Sequence, residues 1–374
     1  MSSSENKLFY QIALTQIKNV GDILGRKLLT AVGDAEQIFR SSRNELMKIE
    51  NIASKTIDDI LNPEVLRRAE RELDFVLRNN IDTFFISDEN YPQRLRDCED
   101  APLLLYYRGN ADFNVKRVVS IVGTRNATAY GRKFCDDFVA DLARLCPETL
   151  VISGLAYGID IQSHKAAVKH QLPTIGVLAH GLDRIYPDQH RYIAAEMENH
   201  GGLLTEFISG TEPERYNFVR RNRIVAGMAD ATIVIESAEK SGSLITADLA
   251  SSYCRDVFAV PGRIGDQQSA GCNKLIANHK ADMILSAEHF VRQMAWDEAS
   301  LKAKQAPRQQ ELFIELTSDE QKIVDALSKE QNGIHIDEIV QATSIPMHRL
   351  SSILFEMEMK GVIRNLPGNS FALT

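Results

Sequence analysis

Arg215, Arg220, Arg221 and Arg223 stand within nine residues of the segment RYNFVRRNRIVAG, residues 215–227, and the loop SGSLITA (241–247) follows one apolar run later. Guanidinium groups are planar, permanently charged forks that match phosphate oxygens, and the interleaved Tyr216 and Phe218 offer faces on which bases stack. A nucleic-acid backbone is the first candidate ligand. At the start of a helix the same residues serve equally well as salt-bridged or solvated surface charges, and four arginines do not decide between the two.

Two further loops carry the same chemistry. In IVGTRNATAYGR (121–132) Gly123 permits a tight turn after an apolar run, Thr124 follows it, and Arg125 projects ahead of the next helix as a phosphate clamp. The second and third glycines of G-x-G-x-x-G are missing and no G-x-x-x-x-G-K-[ST] occurs. Neither a dinucleotide cofactor nor a nucleoside triphosphatase of that class is expected. Lys240 directly precedes Ser241, Gly242 and Ser243 at a predicted helix N-terminus, where hydroxyl and N–H groups face an anion; ordinary capping explains the serines as well.

Acid–base and metal chemistry have weaker signals. Asp160 and His164 in SGLAYGIDIQSHKAA lie four residues apart on one helix face, an arrangement that suits a proton-transfer pair or, more plainly, a histidine satisfied by a surface carboxylate. His180, Asp183, Asp188 and His190 straddle a proline turn without a recognised ligand spacing, so no metal is expected. We expect a binding protein rather than an enzyme, with no cofactor.

Composition sets the bounds on the elements that position these residues. With 374 residues, 44% hydrophobic and 25% charged, the chain has the make-up of a multidomain globular protein. A net charge of −8 means that a polyanion must bind at a concentrated basic patch, because the summed field repels it. Cys98, Cys135, Cys146, Cys254 and Cys272 are odd in number and form no paired motif, which reads as free thiols in a reducing compartment. No apolar signal core opens the chain and no run approaches the roughly 18 apolar residues of a membrane span. A cytoplasmic protein without membrane contact is expected.

Three domains and a linker follow from the pattern. Residues 1–80 read as an all-helical domain, in which IKNVGDILGRKLLTAV (17–32) and IENIASKTIDDIL (49–61) resemble tandem helix-hairpin-helix, or SAM-like, units. In such units glycines free N–H groups to face a phosphate; the second copy has Asn51 to Ser54 and no glycine. Residues 81–296 alternate helices with the strand-length runs 103–107, 117–123, 149–154, 174–179, 202–206, 231–237 and 256–262, the signature of an α/β fold with a parallel sheet. Ligands of such sheets collect beyond the carboxyl ends of the strands, where the loops described above fall. Residues 297–316 read as a linker. Residues 317–374 give helix, helix, helix and a hairpin turning at Pro367 to Asn369, the winged-helix-like order. Its third helix sets Arg349 and Lys360 against Glu356 and Glu358, a balance that favours protein over DNA contact.

Taken in order, YPQRLRDCEDAPLLLYYRG, IVGTRNATAYG, SGLAYGID, GLDRIYP, LLTEF, RRNRIVAG, SGSLITA and VFAVPG resemble the DNA-processing protein A (Smf) family over about 90–280. The resemblance implies an extended Rossmann-like core that binds single-stranded DNA, forms a homodimer, protects incoming DNA and loads the recombinase RecA in natural transformation. Carried over by position, the DNA pocket maps to Gly123, Thr124 and Arg125, to Arg220, Arg221, Asn222 and Arg223, and to Lys240, Ser241, Gly242 and Ser243. Where some relatives have a lysine before the third strand this chain has Pro173, and Lys169 is the substitute. The rival reading is a nucleotide-processing phosphoribohydrolase of the lysine-decarboxylase-like group. Its P-G-G-x-G-T-x-x-E signature is reduced here to PGRIGDQQ (261–268).

Overall fold

The computed structural model describes residues 2–49, 52–296, 316–328, 334–360, 362–366 and 370–373. Asn51, the turn at 367–369 and all of the predicted linker except Leu316 lie outside the described residues. The chain forms two compact units, Met1–Ser300 and Leu301–Thr374.

The first unit opens with six helices: α1 (Ser3–Thr15), α2 (Asp22–Val32), α3 (Ala35–Arg40), α4 (Arg43–Leu46), α5 (Ser54–Ile60) and α6 (Pro63–Arg78). Local sequence starts them. Ser2 and Glu5 close a capping box on α1, and Asn62 caps α6 with Pro63 at its first position. Their apolar faces bury Ile12, Leu14, Leu28, Ile38 and Ile60 in a cluster that runs without a break into Phe85, Leu103, Leu104 and Tyr106 of the sheet. At roughly 1.5–3 kcal/mol for each such side chain, this shared core holds the helices on the sheet. Gly25 serves that contact: a Cβ there would come 2.3 Å from Leu103 Cδ1. The hairpin glycine at 25 is therefore a packing residue and presents no N–H to a phosphate, since its N–H bonds to the Gly21 carbonyl at 2.8 Å within the helix.

The rest of the unit contains β1 (Asp82–Phe85), α7 (Gln93–Arg96), β2 (Leu104–Gly109), β3 (Val118–Gly123), α8 (Ala129–Leu145), β4 (Leu150–Ser153), α9 (Ile159–Lys169), β5 (Thr174–Val177), α10 (Arg191–Asn199) and β6 (Gly201–Thr205). It continues with α11 (Arg215–Gly227), β7 (Ala231–Ile235), α12 (Gly242–Ser252), β8 (Asp256–Ala259), α13 (Ala270–Ala277), β9 (Asp282–Met283) and α14 (Ala287–Gln293). One nine-stranded sheet has the order β1-β2-β6-β5-β4-β3-β7-β8-β9. The segment β5-β4-β3-β7-β8-β9 is the doubly wound 3-2-1-4-5-6 order, with β6 added in parallel and β2 and β1 antiparallel at the edge. All seven predicted strand runs are present. They were readable because both faces of the sheet are covered and the strands are continuously apolar.

From β3 the chain crosses to β4 on one side, and from β7 it crosses to β8 on the other. The carboxyl ends of β3 and β7 therefore flank the crevice where the winding reverses. That crevice is the position at which an open α/β sheet offers glycine turns and helix N-termini to a ligand.

The second unit comprises α15 (Ser318–Leu327), β10 (Ile334–His335), α16 (Ile336–Thr343), α17 (Met347–Met359), β11 (Ile363–Leu366) and β12 (Ser370–Leu373), with sheet order β10-β12-β11. The predicted three helices and hairpin are joined by the short β10, which was too brief to read from sequence. Its core is Ile323, Leu327, Ile339, Leu350, Leu354 and Phe371.

Candidate nucleic-acid interface

A cleft of about 970 Å³ opens at the crevice between β3 and β7. Gly123, Thr124 and Arg125 come from the β3–α8 turn, Arg221 and Asn222 from α11, and Lys240, Ser241, Gly242 and Ser243 from the start of α12; all of them line it. Nine of the sequence-predicted site residues are thus brought together from segments up to about 120 positions apart. Arg215 and Phe218 of α11 line the same wall, and the Arg125 guanidinium lies 5.3 Å above the Phe218 ring.

Helical geometry divides the arginine cluster. Arg220 and Arg223, three residues apart, share the face turned away from the cleft. Arg223 Nη2 contacts Glu206 Oε2 at 2.6 Å and Asp22 Oδ2 at 3.0 Å, and Arg220 Nη2 reaches the same Glu206 oxygen at 2.6 Å. Asp22 begins α2, so this buried network ties the N-terminal helices to α11. The salt-bridged reading describes Arg220 and Arg223, on one face of the helix, while Arg221 on the other face lines the cleft. Lys169 also lies outside the cleft: it ends α9, whose first turn is the end that faces the site, and its Nζ pairs with Asp136 at 2.8 Å.

Arg221 occupies the opposite face and is only 4% exposed. Its guanidinium rests on Gly154, where a Cβ would fall 1.4 Å from Nη1, and its Nε has no hydrogen-bond partner among the described residues. Burial pulls the Arg221 pKa down to about 10, with nearby Asp160 opposing the shift and Arg125 adding to it. Burial likewise holds the Asp160 carboxyl above its usual range, against the pull of Arg221 and of hydrogen bonds from Ala156 and Gly154. The desolvated cation thus lies beside a buried carboxylate and lines the cleft, where an anionic partner can meet it. Gly154, directly after β4, and Asp160 were not legible as parts of the arginine site, because only the fold brings β4 against α11.

The remaining charges leave the rim basic. Glu239 is paired with Lys274 at 2.8 Å and Asp248 with Lys280 at 2.9 Å, while Arg125, Arg215 and Lys240 are exposed. Ser241 caps α12 without a side-chain cap bond, its Oγ lying 2.9 Å from Ser243 Oγ. Around Gly242 a Cβ would meet nothing within 4 Å, so the first turn of α12 is open to a ligand.

The neighbouring helix start is closed. At α8, where a dinucleotide-binding fold holds pyrophosphate, the buried Glu236 carboxylate accepts hydrogen bonds from Thr128 N at 2.8 Å and Thr128 Oγ1 at 2.5 Å. Gly131 makes room for it, since a Cβ there would lie 2.3 Å from Glu236 Oε2. The missing glycine fingerprint has this structural counterpart.

His164 is fully buried and has Thr174 Oγ1, not Asp160, as its partner: Nδ1 lies 2.7 Å from that hydroxyl oxygen, which itself donates to the Val151 carbonyl, so the imidazole N–H is the donor. Burial, reinforced by Arg221 and His190, lowers its pKa to about 3, so it is neutral and spent as a structural partner. His180 and His190 each set Nδ1 on a backbone carbonyl, of Gly181 and Leu155 respectively. Among the described residues no helix is long and apolar enough to cross a membrane.

A family model described as DNA recombination-mediator protein A matches residues 82–295, and a second, the DprA winged helix domain, matches residues 303–369. Protein Smf of Synechocystis sp. is 30% identical, with 98% of this chain and 98% of that protein aligned. DNA processing protein A of Streptococcus pneumoniae superposes with a TM-score of 0.62 at 31% identity over 76% of this chain and 97% of that one. DNA processing protein A of Helicobacter pylori, whose structure is described for its single-stranded DNA binding mode, superposes with a TM-score of 0.52 at 28% identity, covering 58% and 96%.

Proposed function

Since this chain belongs to the DNA recombination-mediator protein A family, we propose that it binds single-stranded DNA in the cleft between β3 and β7. The observation that carries the reading is Arg221, a buried cation on a glycine floor whose Nε lacks a partner and whose neighbours at the rim are Arg125, Arg215 and Lys240. A phosphate oxygen in the cleft meets the Arg221 guanidinium in the charge-assisted geometry that such groups favour.

The strand's backbone runs over Gly123, Thr124 and Arg125, past Arg221 and Asn222, to Lys240 and the open N-terminus formed by Ser241, Gly242 and Ser243. Bases stack against Phe218. Duplex DNA binds weakly, because its paired bases cannot splay into the cleft. Arg220 and Arg223 hold α11 in place and do not touch DNA, and Lys169, at the end of α9 outside the cleft, is not a principal contact.

Held in this way, the strand is protected and presented to a recombinase. On the family resemblance, the protein acts as a homodimer that loads RecA onto incoming DNA during natural transformation, without catalysing a reaction itself. Anisotropy of a labelled oligothymidine, titrated at two salt concentrations against a duplex competitor of equal length, tests the binding step. Tight, salt-sensitive binding that the duplex displaces poorly supports it, and no binding at low salt rejects it. RecA filament growth on the same strand, with and without the protein, tests the loading step.

A further inference from the structure

Beyond Gln268 the cleft continues into a second cavity of about 860 Å³, bounded by Thr128, Tyr130, Glu236, Arg263 and Gln267. Gln268 lines both spaces, and its Oε1 accepts a hydrogen bond from Thr124 Oγ1 at 2.7 Å. Gln268 is thus a wall residue common to both spaces.

We infer that this cavity is a second nucleotide subsite, which takes a base of the strand whose backbone lies in the cleft; the inference rests on the single-strand reading above. The wall chemistry selects a base over a phosphate. Glu236 presents a carboxylate that makes no ion pair among the described residues and that repels an anion. Each of its oxygens accepts one hydrogen bond from Thr128, which leaves lone pairs for the N–H edge of a base such as thymine or guanine. At the mouth, the Tyr130 ring is 50% exposed, and its hydroxyl is tied to the Pro261 carbonyl at 2.8 Å, which fixes the ring as a stacking face. Arg263, exposed and lining the same cavity, is a cation available to a phosphate next to the base.

The test uses the full chain and anisotropy of a labelled octathymidine, with matched strands in which one nucleotide at a time is abasic. With the unaltered protein, loss of one particular base should weaken binding roughly tenfold, the scale of a base stacked on an aromatic ring. Tyr130→Ala should weaken binding to the intact strand by a similar factor and have no added effect on the strand lacking that base. Tyr130→Phe, which keeps the ring and loses only its tether to the Pro261 carbonyl, should retain most of the binding that the alanine variant loses. Should the alanine variant melt early, Tyr130→Leu repeats the measurement with an apolar side chain in place. Equal weakening of intact and abasic strands by the Tyr130 variants would overturn the subsite. An unaltered protein that binds no oligothymidine would instead reject the single-strand reading itself.

Discussion

Gly154 and Arg221 act together, and the glycine is the more telling of the two to change. In Gly154→Ala the new methyl would stand where Nη1 now lies, 1.4 Å away, so the guanidinium must swing off its floor while the charge stays in the molecule. We expect oligothymidine affinity to fall by about 1.5–3 kcal/mol, as for Arg221→Ala, with little change in melting temperature because a flexible side-chain tip does the moving. Titration of both variants checks this; full affinity in Gly154→Ala would show that Arg221 need not sit where it does. His164 makes a prediction about pH. Its imidazole binds a proton below about 6.5 in the unfolded chain but only near pH 3 when folded, so the unfolded state holds more protons across that window. Stability is therefore complete above pH 6.5 and is lost as pH falls toward 3. Melting curves should show a shallower acid slope for His164→Gln than for the unaltered chain. Residue types suggested phosphate chemistry for this segment, but the partners of Arg223 were not legible: Asp22 and Glu206 are 201 and 17 positions from it, and nothing local joins them.

At the scale of elements, α11 is the member on which the site turns. One face is bolted to the N-terminal helices and to β6's following residue by Asp22 and Glu206, and the other carries Arg221 into the cleft. Breaking a buried pair while leaving its partner charged costs several kcal/mol, so Glu206→Gln should destabilise the fold by about 2–4 kcal/mol in denaturant titration. An unchanged midpoint would mean that Asp22 alone suffices. The parallel strands were legible as apolar runs, and the loops at their carboxyl ends as the place where such a fold gathers ligands. The strands β1 and β9 were not, since β1 is an edge strand with a mixed burial pattern and β9 has two exposed residues. The two-sided character of α11 escaped a reading by composition because a run of cations looks the same on either face.

For the whole molecule, a net charge of −8 confines the attraction for DNA to one patch. The dependence of affinity on salt should be correspondingly shallow: at about −0.7 per phosphate for a single strand, three or four contacts give a log–log slope near −2 to −3. A slope twice as steep would place further cations under the strand. In the winged-helix unit Arg349 of α17 is held by Asp319 at 2.7 Å and the following Lys360 by Glu320 at 2.6 Å. Arg349→Ala should leave oligothymidine binding within about twofold in the same assay, since an occupied surface cation contributes little. The carboxylate of Glu236, lodged at the helix start where this architecture grips pyrophosphate, bears on life among metabolites. Coenzymes and nucleotides crowd any cell that copies DNA, and a fold able to seize them would spend its time occupied. By carrying its own anion in that position, the chain sets a repulsive charge against any pyrophosphate that approaches the start of α8.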